Sequence, residues 1–193
     1  VIHSAFVTYD KIVTTIFPQL KGVGRQSLIN TIDNDRNLVE HEATKFWLYT
    51  PNHICSFRRS TFSTKEPEML EWIEEYGGGV FYDIGANIGV YSLYAASRGL
   101  KVYAFEPESS SYAILNNNIK INSFDEQIKA LNIALNDTNM ISHLNISNFQ
   151  PGKSGHSFDK PINQHGKEYV PEYKQACIGY RLDSLIHDFS LPV

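Results

Sequence analysis

The chain has 193 residues, of which 42% are hydrophobic and 20% are charged, a composition typical of globular proteins and not of disordered or fibrous ones. Its formal net charge of -4 argues against a nucleic-acid partner, because neutralising phosphates requires clustered Lys and Arg. No apolar run approaches the roughly 20 residues that span a bilayer, and neither end carries a secretory hydrophobic segment, so we expect a cytoplasmic protein.

The two cysteines, Cys55 and Cys177, stand far apart and belong to no Cys/His pattern with metal-ligand spacing. We expect both to be free and buried, since Cys is commonly buried as a small hydrophobic residue. The sequence therefore predicts no metal site.

Residues 1–62 are predicted to form a small, partly β N-terminal region. Short apolar and aromatic segments, such as Ile12 to Phe17 and Phe46 to Tyr49, alternate there with polar turns. Residues 63–193 have a more regular pattern and are predicted to form a second domain.

The second domain is predicted to open with a helix. Pro67 suits a first helical turn, and Met69, Ile73 and Tyr76 recur at helical spacing. The three glycines that follow Tyr76 predict the end of this helix.

Strands and helices alternate from residue 80 onward. Apolar runs predict strands at 80–82, 102–105 and 128–134, separated by helices at 88–98 and after a capping Ser109 or Ser110. The second of these helices is expected to bury Tyr112, Leu115 and Ile119. A β-α-β-α-β series of this kind is typical of a doubly wound, Rossmann-like α/β sheet.

The last third of the chain has weaker signals. Residues 140–146 alternate between apolar and polar side chains, which predicts an edge hairpin, and residues 150–172 predict a long surface loop. A short strand is expected at 177–180 and a short helix at 182–189.

The motif Asp83-Ile84-Gly85-Ala86-Asn87-Ile88-Gly89 lies where the first of these strands turns into a helix. Without a Cβ, Gly85 allows a tight turn and close approach to a ligand, and the free amides at a helix start favour an anion. Asp83, at the carboxyl end of the strand, is suited to bind an ammonium group. Asn87 also suits a plain helix cap.

Glu106 ends the second strand about 20 residues later, at the spacing expected for an acid that binds a ribose diol. A ligand with an amino acid end and a nucleoside end satisfies both sites, which predicts S-adenosyl-L-methionine as cofactor. The alternative is a nicotinamide cofactor, but its glycine pattern is G-x-G-x-x-G, and Asp83 would repel its pyrophosphate.

Several stretches together resemble the FkbM family of S-adenosylmethionine-dependent methyltransferases, over about residues 45 to 193. They are Thr64-Lys65-Glu66-Pro67-Glu68, Phe81 to Gly89, Tyr103-Ala104-Phe105-Glu106-Pro107, Asn132-Ile133-Ala134-Leu135, Ser154-Gly155 and Leu182-Asp183-Ser184-Leu185. The resemblance implies O-methylation of a hydroxyl on a sugar, glycan or other small metabolite.

The resemblance also implies roles for individual residues. Asp83 and Gly85 would face the methionine part of the cofactor, Asn87 and Gly89 would shape the helix start, Glu106 beside Pro107 would hold the ribose, and Asn132 and Ile133 would border the adenine. Members of the family continue into a fourth strand with an acidic motif that this sequence does not contain. We therefore expect a domain that stops before its fourth strand, with the main catalytic base outside it.

Two other assignments follow from the residues. His156 follows the loop that the resemblance places near the cofactor, and it is the candidate catalytic base, since His titrates near neutral pH. The aromatic residues Phe46, Trp47, Tyr49 and Phe57 suit either an acceptor platform or the core of the N-terminal region. A non-catalytic nucleotide-binding or assembly module with the same fold is the alternative function.

Overall fold

The structure is a computed structural model that describes residues 7–8, 11–12, 15–18, 22–23, 26, 36–76 and 78–192. The chain forms two compact units, Val1–Arg36 and Asn37–Val193. In the first unit, the described residues between 7 and 16 are helical; the rest of the predicted N-terminal segment up to residue 35 lies largely outside the described residues. None of the described helices is long and apolar enough to cross a membrane.

Nine strands and five helices cover residues 36–189. The strands are β1 (Arg36–His41), β2 (Thr44–Tyr49), β3 (Val80–Ile84), β4 (Lys101–Phe105), β5 (Ile128–Leu131), β6 (Ala134–Leu135), β7 (Met140–Ile146), β8 (Ser157–Phe158) and β9 (Tyr173–Tyr180). The helices are α1 (His53–Ser60), α2 (Pro67–Glu75), α3 (Val90–Ser97), α4 (Ser109–Asn122) and α5 (Leu182–Phe189).

Strands β3, β4 and β5 form a parallel sheet in that order, with Asp83 of β3 beside Ala104 of β4. Alternate side chains of β4 pack into hydrophobic clusters on opposite faces of the sheet. Val102 packs with α3 and α4 on one face, and Phe105 packs with Leu185 of α5 on the other. A parallel strand covered on both faces is apolar throughout, as the sequence of β4 predicts. The mixed α/β class and the parallel sheet are thereby confirmed.

The hairpin of β1 and β2, together with α1, belongs to the larger core. Phe46, Leu48, Cys55 and Phe62 are buried in the same cluster as the residues of β3 and β4. Asn118 of α4 joins the two parts, because its amide accepts a hydrogen bond from Tyr49 N (2.7 Å) and donates one to Ile88 O (2.8 Å). Residues 37–62, predicted as a separate region, thus form one wall of the fold around the glycine motif.

The remaining strands form a four-stranded sheet in the order β6-β9-β7-β8. β7 pairs with β9 over seven residues, from Met140 opposite Gly179 to Ile146 opposite Tyr173, so the prediction of an edge hairpin at 140–146 was wrong: β7 lies inside the sheet. The alternation of its residues specifies a strand but not its neighbours β8 and β9, which begin 11 and 27 residues after β7 ends.

Three predicted details also differ. The strand predicted at 128–134 divides into β5, which pairs with β4, and β6, which pairs with β9 in the other sheet. Asn132 lies between them, and its side-chain amide donates to the carbonyls of Glu106 and Pro107. The cap of α4 is Glu108, whose carboxylate accepts from Ser110 N and Ser111 N, rather than a serine. Tyr76, predicted on the buried face of α2, is 61% exposed, whereas Ile73 is buried as expected.

The helices predicted at 88–98 and 182–189 are confirmed as α3 and α5. Both cysteines are free and buried, also as predicted.

Candidate functional site

The glycine motif forms a loop in which every second residue has a left-handed backbone. The φ angles are 77° at Gly85, 54° at Asn87 and 86° at Gly89. Gly85 N and Ala86 N both donate to Phe105 O, at 2.9 and 3.0 Å, so the loop is tied to the end of β4. Gly85 has nothing within 4 Å of the position where a Cβ would stand, which leaves open space beside its backbone.

Gly89 has a packing role and permits a first prediction. A Cβ there would clash with Leu115 Cδ1, and Leu115 is fully buried, so it has little room to move. We expect Gly89→Ala to lower the free energy of unfolding by about 2–3 kcal/mol, measured by urea denaturation, from left-handed strain and overpacking together. Gly99→Ala, at φ 90° in open space, is the control and should cost only about 1 kcal/mol; equal losses would contradict the packing argument.

Asp83, the fourth residue of β3, is a buried carboxylate that lines the cavity described below. Ser92 Oγ of α3 donates to its Oδ2 at 2.5 Å. Burial raises the pKa of Asp83 to about 6, with hydrogen bonds from Ser92 opposing the shift. No residue that the structure describes forms an ion pair with Asp83. A buried carboxylate of this kind favours a cationic ligand, because the ligand would compensate the cost of burying its charge.

Glu106 lies directly after β4 and is also buried. Its Oε2 accepts from Asn87 N at 2.7 Å, and its Oε1 accepts from Glu108 N at 2.8 Å. The carboxylate thus joins the glycine loop to the start of α4. Burial raises the pKa of Glu106 to about 7, and the negative charges of Glu108 and Asp83 add to the shift. Glu106 therefore contacts the glycine loop that follows Asp83 through Asn87 N. Unlike Asp83, it lies outside the lining of the cavity.

A cavity of about 710 Å³ opens beside this loop, a volume within the range of small-ligand sites. Its wall is built from α1, the segment leading into α2, the glycine loop with the start of α3, and residues 152–154. The lining residues are His53, Ile54, Phe57, Arg58, Thr61, Phe62, Lys65, Glu66, Met69, Asp83, Ile84, Gly85, Ala86, Asn87, Val90, Tyr91, Gly152, Lys153 and Ser154.

The 150–154 loop is held in place through its carbonyl oxygens. Asn52 Nδ2 donates to Pro151 O at 3.0 Å, Arg58 Nε to Gly152 O at 2.5 Å, and Asn87 Nδ2 to Lys153 O at 2.8 Å. Gly152 N donates in turn to Ser111 Oγ of α4 at 3.1 Å. Asn87 therefore has a structural role that the sequence did not indicate, since it joins the glycine loop to a segment about 65 residues away in the chain.

Several polar cavity residues were not predicted as site residues. Glu66 accepts from Tyr91 Oη at 2.9 Å and pairs with Lys65 Nζ at 2.9 Å, which lowers the pKa of Glu66. The only sequence signal for Glu66 is its place in the Thr64 to Glu68 stretch that resembles the FkbM family. Arg58 had no signal, because an arginine on a short helix is usually a surface residue.

The remaining predicted site residues lie outside the cavity lining. Asn132 holds the backbone of Glu106 and Pro107 through its side-chain amide, and Ile133 packs on the α5 face of the sheet. The His156 ring accepts from Ser147 N at 3.3 Å, and burial lowers the pKa of His156. Its Nε2 is buried without a partner among the residues that the structure describes.

The four aromatic residues of the predicted platform do not act together. Phe46 is buried in the core, and Phe57 is 58% exposed and lines the cavity. Trp47 and Tyr49 of β2 bind α4 through their backbone amides. Phe57 is thus the one member of this group in the cavity wall.

No family model matches the chain, and no curated protein matches it. Among solved structures it is similar to the tRNA m1G37 methyltransferase of M. jannaschii, with a TM-score of 0.34 and 15% sequence identity. The aligned part covers 54% of this chain and 36% of that protein's chain.

Proposed function

We propose that the chain binds S-adenosyl-L-methionine and belongs to a Rossmann-like methyltransferase. The observation that carries the proposal is the buried Asp83 carboxylate in a cavity wall shared with Gly85. An ammonium group on the ligand supplies a positive charge that none of the described residues pairs with Asp83, and the bare backbone at Gly85 allows the ligand to approach closely.

The nucleoside end is assigned to the side of the loop held by Glu106 and Pro107. Each oxygen of the Glu106 carboxylate accepts one backbone N–H, and each retains a second lone pair for a ribose hydroxyl. Asn132 fixes the backbone on which this carboxylate stands, and Ile133 follows it in the chain; we assign both to the border of the adenine. Gly89 and Asn87 keep the loop in the shape that the ligand requires.

The proposed reaction is the transfer of the sulfonium methyl group to a hydroxyl of a sugar, glycan or other small metabolite, as the resemblance to the FkbM family implies. The carbon–sulfur bond breaks as the carbon–oxygen bond forms in line, and the hydroxyl proton passes to a base. His156 is the candidate base. The chain contributes mainly by holding the two reactants in line.

The direct test is calorimetry of the chain with S-adenosylhomocysteine, the demethylated product of the cofactor. We expect saturable one-to-one binding, and no binding of NADH, because Asp83 repels a pyrophosphate at this loop. Absence of binding by S-adenosylhomocysteine and S-adenosylmethionine would overturn the proposal.

A non-catalytic ligand-binding module is the second candidate function. It is favoured by the position of His156, which lies outside the cavity lining and carries a buried Nε2. The two candidates differ in turnover: a module binds S-adenosylmethionine without ever producing S-adenosylhomocysteine in the presence of carbohydrate hydroxyl acceptors, whereas an enzyme releases it.

A further inference from the structure

Arg58 has guanidinium N–H donors in the cavity wall that donate to no residue in the described part of the chain. It lies in α1, is half-buried and lines the cavity. Its Nε donates to Gly152 O. Neither Nη atom has a hydrogen-bond partner within the described part of the chain, although a guanidinium carries five N–H donors. Four donors in a planar fork therefore remain for a ligand.

The surroundings of Arg58 favour an anion in the cavity. Burial lowers the pKa of Arg58, and electrostatic interactions with Cys55, Glu106 and Glu66, in decreasing order, oppose that shift. Glu66 is already engaged by Lys65 and Tyr91, and Glu106 by two backbone amides. Arg58 forms no ion pair with any described residue. A half-buried guanidinium without a direct counter-charge is stabilised when an anion enters beside it.

Arg58 and Asp83 place one positive and one negative group in the wall of the same cavity, on different elements of the fold. Of the two cavity lysines, Lys65 is paired with Glu66, and Lys153 is solvent-exposed. Arg58 is therefore a half-buried cation in the described cavity lining that has no ion pair. We propose that Arg58 binds the α-carboxylate of an amino acid end of the ligand while Asp83 binds its α-ammonium. This inference rests on the proposed function and adds a specificity-determining residue to it.

The test compares the affinities of two ligands for the wild-type chain and for variants at Arg58 and Arg59. S-adenosylhomocysteine carries the α-carboxylate, and decarboxylated S-adenosylmethionine keeps the ammonium and the adenosyl group but lacks the carboxylate. We expect Arg58→Gln to weaken S-adenosylhomocysteine by about tenfold to hundredfold in calorimetry, and to leave the decarboxylated ligand within about twofold. Wild-type protein should prefer S-adenosylhomocysteine, and the variant should lose that preference.

Arg59→Gln is the matched control, because Arg59 is the next residue of the same helix and does not line the cavity. It should leave both affinities unchanged. Arg58→Lys covers the case in which Arg58→Gln does not fold: it keeps the charge, loses the fork, and should reduce the preference for the carboxylate by about threefold to tenfold.

The outcomes separate this inference from the function on which it rests. If the wild-type chain binds no adenosyl ligand, the proposed function fails, and the role of Arg58 fails with it. If the wild-type chain binds both ligands and the Arg58 variants weaken them equally or leave them unchanged, only the role of Arg58 is overturned.

Discussion

Replacing Asp83 by Asn should weaken S-adenosylhomocysteine binding by at least about hundredfold while leaving the fold at least as stable as before. The substitution removes the negative charge of Asp83 that would pair with the ligand ammonium. Because Asp83 is buried, breaking this charge pair is costly. Asn keeps an oxygen that can accept from Ser92 Oγ, the partner of Asp83 at 2.5 Å. Calorimetry and urea denaturation of the same sample measure the two effects.

The stability half of this prediction has a definite pH dependence. The pKa of Asp83 is about 6 in the folded chain against an ordinary value of 3.8, so the folded state binds the proton more tightly than the unfolded state. The contribution of Asp83 to stability is therefore complete below about pH 4 and is lost as the pH rises through 6. Asp83→Asn should match the wild type at pH 4 and exceed it by about 3 kcal/mol at pH 7.

Ligand binding should show the opposite trend. The wild-type affinity for S-adenosylhomocysteine should fall as the pH drops below about 6, because protonation removes the charge that holds the ammonium. Asp125→Asn is the control, since Asp125 is exposed and does not line the cavity. Retention of full affinity by Asp83→Asn would sink both the assignment of Asp83 and the proposed ligand.

Replacing Glu106 by Ala should be the most destabilising change at the site. It deprives the amides of Asn87 and Glu108 of their acceptor, and Glu106 is buried, so water does not readily replace the carboxylate. We expect the free energy of unfolding to fall by about 3–5 kcal/mol at pH 5, from two unsatisfied donors and the space left behind. Urea denaturation followed by circular dichroism measures the loss.

The cost of Glu106→Ala should become smaller at higher pH. The pKa of Glu106 is about 7 in the folded chain and ordinarily 4.5, so the stability that this group contributes is lost as the pH rises through 7. Glu126→Ala, at an exposed glutamate, should change stability by less than about 0.5 kcal/mol at either pH. A loss at Glu106 no larger than at Glu126 would show that the carboxylate does not support the loop. A variant that folds and binds S-adenosylhomocysteine normally would remove Glu106 from the ligand site.

Local signals in the sequence were sufficient for the parallel sheet and its helices. The apolar run ending at Phe105 predicts a strand buried on both faces, and α5 was predicted with the observed bounds. Asp83 and Gly85 could be predicted as candidate site residues because a strand followed by glycines restricts the backbone to few conformations. Each of these features depends on residues within a few positions of one another.

Features that depend on distant residues were not predictable in the same way. Arg58 lines the cavity together with Gly152, whose carbonyl accepts from Arg58 Nε although the two residues lie far apart in the chain. Glu106 was predicted from its spacing as a ligand-facing acid, but its contacts to Asn87 and Glu108 follow from the packing of the loop over β4. The placement of β7 between β8 and β9 depends on a strand that begins 27 residues after β7 ends.

The contacts of the 150–154 loop have a consequence for how the cavity comes into existence during synthesis. Asn52 and Pro151 are 99 positions apart, and Arg58 and Gly152 are 94 positions apart. A nascent chain in which the glycine motif and the strands β3, β4 and β5 have already been synthesised therefore still lacks the part of the cavity wall that residues 152–154 form. Closing so long a stretch of backbone costs more conformational entropy than forming a helix, so we expect the part of the cavity wall at residues 152–154 to form after β3 and β4.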